Sequence, residues 1–124
     1  MIKYSITVLP PREPNVKICS IFLNQQICTD FNISKKFIKI KKEPNMFIKI
    51  QLIDTDNMRN VGIDYPNLYL NSYIYEEDTK DYTKKYLKFK KDGVIIKPGD
   101  KDIKLKINLL RRDEVIDYCL IDIV

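Results

Sequence analysis

The residues whose types and spacing best suit chemistry are the lysines between positions 84 and 91. Lys84, Lys85, Lys88, Lys90 and Lys91 are interleaved with Tyr82, Tyr86 and Phe89. Cations neutralise phosphates and aromatic faces stack on unpaired bases, so the cluster suits contact with single-stranded nucleic acid. Two features weigh the other way. Leu87 and Phe89 alternate with the lysines, and that alternation sends both apolar side chains to the core of a strand. Arginine, the better bidentate reader of phosphate, occurs only four times. Lysine is also what exposed edge strands carry to block pairing with other chains. A lysine-coated solvent face is the plainer reading.

A second candidate is Asp54-Thr55-Asp56-Asn57, with oxygen ligands spaced as in a calcium loop. Such a loop of the EF-hand kind needs Gly at its sixth position and Glu at its twelfth. Arg59 and Tyr65 stand there instead. Asp64, or Glu76 to Asp78, would have to complete a calcium site between loops. The competing reading is a solvated turn in which Asp54, Asp56 and Asn57 bond local backbone donors. The third candidate is the tyrosine set. Tyr69, Tyr73 and Tyr75 fall on one face of an alternating segment, with Tyr65 nearby, and exposed tyrosines suit protein contacts or sugar stacking. The absence of Trp counts against carbohydrate.

Equipment for catalysis is sparse. The chain has no His, the commonest general base at neutral pH, so a Cys nucleophile lacks its usual partner. Three cysteines, none at C-x-x-C spacing, do not make a four-ligand zinc site. No G-x-x-x-x-G-K-S/T phosphate loop occurs, and nothing selects a catalytic pair from the 17 acids. A non-enzymatic protein without a cofactor is expected.

The elements that must position these residues are strands. Twenty Ile and no Ala, with three Gly, favour β-structure over helix. The strongest stretch is Lys85 to Leu110. In it Ile103, Leu105, Ile107 and Leu109 alternate with Lys104, Lys106 and Asn108, which is a half-buried strand. Asp92-Gly93 is expected to form a two-residue turn, and Pro98-Gly99 a type II turn. Further strands are expected at Ile2 to Leu9, Val16 to Leu23, Phe37 to Lys41, Met46 to Ile53, Leu68 to Tyr75 and Val115 to Val124, with an irregular one at Ile27 to Ile33. Apolar groups on both faces of Leu68 to Tyr75 place it centrally or against a partner. Asp54 to Asp64 reads as a polar loop, and Glu76 to Lys84 as the one place for a short helix. If Asn24-Gln25-Gln26 closes a hairpin, Phe22 faces Cys28, and a Cys19–Cys28 bridge is out of register.

A chain of 124 residues is expected to make one domain, residues 1–124. Many short strands punctuated by Pro, Gly and Asn indicate an all-β, antiparallel β-sandwich, of jelly-roll or Ig-like Greek-key form. An OB-like barrel is the alternative. No signal peptide and no apolar run of about 20 residues is apparent, so neither secretion nor a membrane span is expected. The odd cysteine count fits reduced thiols and a cytoplasmic setting.

The net charge of +5 is uneven along the chain. Positions 35–50 carry six lysines against Glu43, and 51–78 carry six carboxylates against Arg59. Positions 79–112 carry twelve basic against four acidic residues, and 113–124 are acidic throughout. Such blocks neutralise one another within the fold or between copies. The expected function is a structural or interaction module working through strand edges and charge blocks. Its partners would be other protein subunits, homo-oligomeric or a capsid or tail surface. The Ile-, Lys- and Asn-rich composition resembles translated AT-rich sequence and suggests a virion accessory subunit of a virus or phage. In that arrangement Lys84 to Lys106 face acid on a neighbour, and Leu68 to Tyr75 or Ile121 to Val124 supply apolar contact. A single-stranded nucleic-acid binder and a carbohydrate or calcium module are the alternatives.

Overall fold

In the computed structural model, residues 13–65, 67–75 and 85–124 are described. Among the described residues ten strands run in order: β1 (Val16–Leu23), β2 (Gln26–Ile27), β3 (Phe37–Ile40), β4 (Met46–Asp54), β5 (Arg59–Val61), β6 (Leu68–Ile74), β7 (Leu87–Lys90), β8 (Gly93–Ile96), β9 (Ile103–Arg111) and β10 (Glu114–Ile123). They form two sheets. The six-stranded sheet is ordered β2-β1-β4-β8-β7, with β5 also on β4, and the four-stranded sheet is ordered β3-β10-β9-β6. The fold is all-β, and among the described residues neither sheet closes into a barrel. No described helix is long and apolar enough to cross a membrane. The strand expected at Ile2 to Leu9 and the helix expected at Glu76 to Lys84 lie outside the described residues.

Alternation explains why the long strands form where they do. In β9, Ile103, Leu105, Ile107 and Leu109 point inward, as do Met46, Ile48, Ile50 and Leu52 in β4. These residues join Ile18, Ile21, Ile121, Ile123 and others in one hydrophobic cluster fed by both sheets. Two bulges interrupt the period of two. β1 shifts register between Ile18 and Ser20, and β10 between Val115 and Asp117. An extra residue on one strand reverses which side chains face inward. That is why Ile18 and Ile21, three residues apart, are both fully buried.

Several expectations need correction. The sheets are not wholly antiparallel, because β3 runs parallel to β10. Among the described residues β6 has β9 as its one neighbouring strand, at the end of the sheet order rather than in the central place that is one of its two expected settings. Arg59–Val61, within the expected polar loop, is a strand on β4. Of the irregular segment expected at Ile27 to Ile33 only Ile27 pairs, Gln26 of the expected turn joins it in β2, and Phe22 faces Ile27 instead of Cys28. The turn between β7 and β8 is Lys91-Asp92, since Lys90 pairs with Gly93. Gly93 is needed there for space. A Cβ on it would lie 1.9 Å from the Ile48 carbonyl oxygen. Gly99 does take positive φ, 59°, but its loop carries the chain between sheets and closes no hairpin.

The tight hairpins use other residues. Asn24-Gln25 and Arg112-Asp113 all take positive φ, as a type I′ turn demands at both central positions. The Asn24 side chain adds three bonds. Its Oδ1 accepts the Phe47 N–H at 2.8 Å, and its Nδ2 donates to Glu43 at 2.7 Å and to the Asn45 carbonyl at 3.0 Å.

One polar contact ties the sheets together. Asp117 stands on the inward side of β10 and is 5% exposed. Its Oδ2 accepts the Ile18 N–H at 2.7 Å, and its Oδ1 pairs with Lys36 Nζ at 2.5 Å. A buried carboxylate is tolerated only when paired and hydrogen-bonded. Here the pairing joins β1 of one sheet to β10 of the other.

Candidate interaction face

The outward side of the four-stranded sheet carries an unusual set of side chains. Register sets Tyr73 beside Lys106, Lys106 beside Leu120, and Leu120 beside Phe37. The next row reads Asn71, Asn108, Tyr118, and the one beyond it Tyr69, Leu110, Val115. On the other flank Lys104 pairs with Asp122 and Asp122 with Lys39, while the Tyr75 N–H donates to the Lys104 carbonyl at 3.0 Å. Tyr69, Tyr118, Phe37 and Val115 are exposed. A typical outward sheet face is polar, so this run of aromatic and aliphatic groups marks a surface suited to contact.

Its geometry is partly fixed. Lys106 Nζ lies 5.1 Å from the Tyr118 ring centroid, a cation–π distance. The Tyr69 hydroxyl donates to Asp113 Oδ1 at 2.6 Å, and that bond raises the phenol's pKa by holding its proton. At the floor, Asn108 is only 9% exposed although it points outward. Its Oδ1 has no hydrogen-bond partner, and neither does the buried Oδ1 of Asp122. Buried acceptors without donors are costly, and each calls for an explanation.

The structure divides the residues expected at a partner site into two groups. Tyr69, Tyr73, Tyr75, Lys104 and Lys106 share the face just described. Lys88 and Lys90 lie on β7, which among the described residues ends the other sheet, with Lys91 in the turn after it. Lys85 sits 5.4 Å from the Tyr86 ring, and Lys84 lies outside the described residues. Phe89 corrects the expectation of a buried pair. Leu87 is buried, but Phe89, two residues along the edge, is 56% exposed.

Sequence reasoning missed Asn108, Asp122, Tyr118 and Phe37 as members of this face. Tyr118, Leu120 and Asp122 alternate with Cys119, Ile121 and Ile123, which signals a strand with two apolar faces. The parallel register that brings Phe37 beside Leu120 leaves no local signal. Ile121 and Ile123 are fully buried, so of the apolar contact expected at Ile121 to Val124 only Val124, just past β10, is exposed.

The remaining candidates are occupied locally. Asp54 Oδ1 accepts the Asp56 N–H at 2.9 Å, and Asn57 Oδ1 accepts the Arg59 N–H at 3.0 Å. Asp56 Oδ2 accepts the Asn15 N–H at 3.4 Å. No group of three or more metal-ligating side chains gathers among the described residues. Asp64 pairs with Lys91, and Glu76 to Asp78 lie outside the described residues.

The cysteines are free. Burial pushes the Cys19 and Cys28 thiols up, and pushes Cys119 up to about 12. A thiol so shifted is a weaker source of thiolate at neutral pH.

No known family matches the chain, and no curated protein or solved structure is similar to it.

Proposed function

We propose that this protein is a non-enzymatic interaction module that docks another protein subunit on the outward face of its four-stranded sheet. The observation that carries the reading is an outward sheet face of exposed aromatic and aliphatic side chains with Lys106 in its middle. Tyr73, Tyr118 and Phe37 supply apolar area around it, as anchors do at binding hot spots. Lys106, set between Tyr73 and Leu120 in the register, favours a partner with a carboxylate. Two sheets sharing one core, each with its own edges, favour a sandwich over an OB-like barrel as the scaffold. The virion setting rests on composition alone and adds nothing to the docking argument.

The test is selection of peptides from a random library against the folded chain. Acidic peptides should be recovered, and Tyr73→Ala or Lys106→Glu should weaken them by about tenfold or more. Lys88→Glu, on the other sheet, should leave them unchanged. Recovery of no binders, or of binders indifferent to both face variants, would reject the proposal.

A second reading is favoured by Phe89, an exposed aromatic flanked by exposed Lys88 and Lys90. This edge suits stacking on single-stranded nucleic acid. Binding of a labelled oligothymidylate that falls steeply with salt and is lost in Phe89→Ala would support it. Unchanged binding in both Phe89→Ala and Lys88→Glu would remove it.

A further inference from the structure

The outward side of the six-stranded sheet holds a groove that the docking face does not explain. β5 and β8 lie on the same edge of β4 without meeting. β8 pairs with Met46 to Lys49, and β5 pairs with Leu52 to Asp54. Between them the Asp92 carbonyl accepts the Ile50 N–H at 2.8 Å, pinning the β7–β8 turn against β4. The gap so framed is a groove of about 620 Å³, within the size range of small-ligand sites. Phe22 and Phe47 line it with apolar surface, and Gln51 and Asn60 bring side-chain amides.

The charges are balanced. Lys91 pairs with Asp64, and Lys49 Nζ stands 3.6 Å from Asp92 Oδ2, so the lining's two cations face two carboxylates. An ionic ligand would have to break one of these pairs to gain its own. A neutral ligand bonds to their remaining donors and acceptors and leaves both intact. Amides, carboxylates and ammonium groups together offer donors and acceptors to hydroxyls, each of which can both give and accept a hydrogen bond. A ring bearing several hydroxyls also has an apolar C–H side, which suits a phenylalanine face. From this we infer that the groove binds a neutral, polyhydroxylated ring: a saccharide unit held against Phe22 and Phe47, with its hydroxyls on Gln51 and Asn60. Phenylalanine stacks less strongly than tryptophan, so the affinity expected is on the order of millimolar.

The experiment is a titration of the ¹⁵N-labelled full chain with glucose, galactose, mannose and N-acetylglucosamine, followed by amide chemical shifts. At least one sugar should produce saturable shifts at Phe22, Lys49 to Leu52, Asn60 to Asp64 and Asp92. Gln51→Ala, an outward-facing change, should weaken binding about tenfold, and Tyr73→Ala on the other sheet should not. Phe22→Ala should do the same as Gln51→Ala wherever its spectrum remains that of the folded chain. Absence of saturable shifts with all four sugars overturns the inference. So do shifts that persist unchanged in Gln51→Ala, or binding of adenosine in place of any sugar. Because the two sites lie on different sheets, failure here leaves the docking proposal standing, and the reverse holds as well.

Discussion

Asp117 and Cys119 are neighbours on the inward side of β10, and burial treats them oppositely. Asp117 is satisfied by the Ile18 N–H and by Lys36, so removing it leaves a backbone donor and an ammonium group without their acceptor. Lys36 keeps some solvent contact, which moderates the loss. Asp117→Ala should cost about 3 kcal/mol in urea unfolding, whereas Glu114→Ala, on exposed β10, should fall within about 0.5 kcal/mol of the unsubstituted chain. Cys119 has no comparable partner. Desolvation first, and the Asp117 charge second, push its thiol from 9.0 up to about 12. The unfolded thiol ionises above pH 9.0 while the folded one stays protonated, so the unfolded state binds fewer protons in that window. Stability should therefore fall by about 1.4 kcal/mol per pH unit between roughly pH 9 and 12, and Cys119→Val should show a shallower decline. Chemical denaturation at stepped alkaline pH reads both slopes.

Among the elements, those with long alternation were readable and those set by register were not. β1, β4, β6, β9 and β10 follow patterns of eight to ten residues or nearly so, and period two is a strong signal at that length. β2 and β5, of two and three residues, exist only because a neighbouring ladder holds them. The Lys91-Asp92 turn was displaced by one residue in the reading because Gly93 looked like a turn glycine. Its missing side chain serves the approach of Ile48 instead. Gly93→Ala should accordingly lower stability by about 3 kcal/mol, since the obstructing atom belongs to backbone and cannot rotate away. Gly99→Ala meets open space and carries only the cost of positive φ, about 1 kcal/mol. Thermal melting of the two variants side by side should show that order. Equal losses would mean that the β8–β4 approach relaxes easily.

For the molecule as a whole, opposite charge blocks meet within the chain at two ion pairs among the described residues, and two further lysines find acids inside the basic blocks. Lys36 reaches Asp117, Lys91 reaches Asp64, Lys42 reaches Asp102, and Lys49 reaches Asp92. Of the acidic stretch that begins at Asp54, Asp64 is held by Lys91 and Asp54 and Asp56 accept backbone N–H groups. Light scattering at low and high salt should return the same monomer mass, and an oligomer that dissociates with salt would place the pairing between copies instead. The candidate face was legible in part. Tyr69, Tyr73 and Lys106 announced themselves by alternation, whereas Asn108 reads as one more outward polar residue until the rows on either side of it are known. Alternation gives the side of a sheet a residue takes, and only the strand order gives the company it keeps.

The Asp117 contacts also bear on how the chain reaches its fold in time. The partners of Asp117 lie 99 residues away at Ile18 and 81 away at Lys36, and the parallel β3 ladder spans a similar distance. Until β10 has left the ribosome, β3 has no ladder to join and β1 lacks the carboxylate that meets Ile18. Such distant pairings put folding in the slow range for small domains, about milliseconds to seconds. During synthesis, two strand edges wait open for the same late segment. A nascent chain stalled before β10 is thus the form most exposed to aggregation, and the one for which chaperone protection matters most.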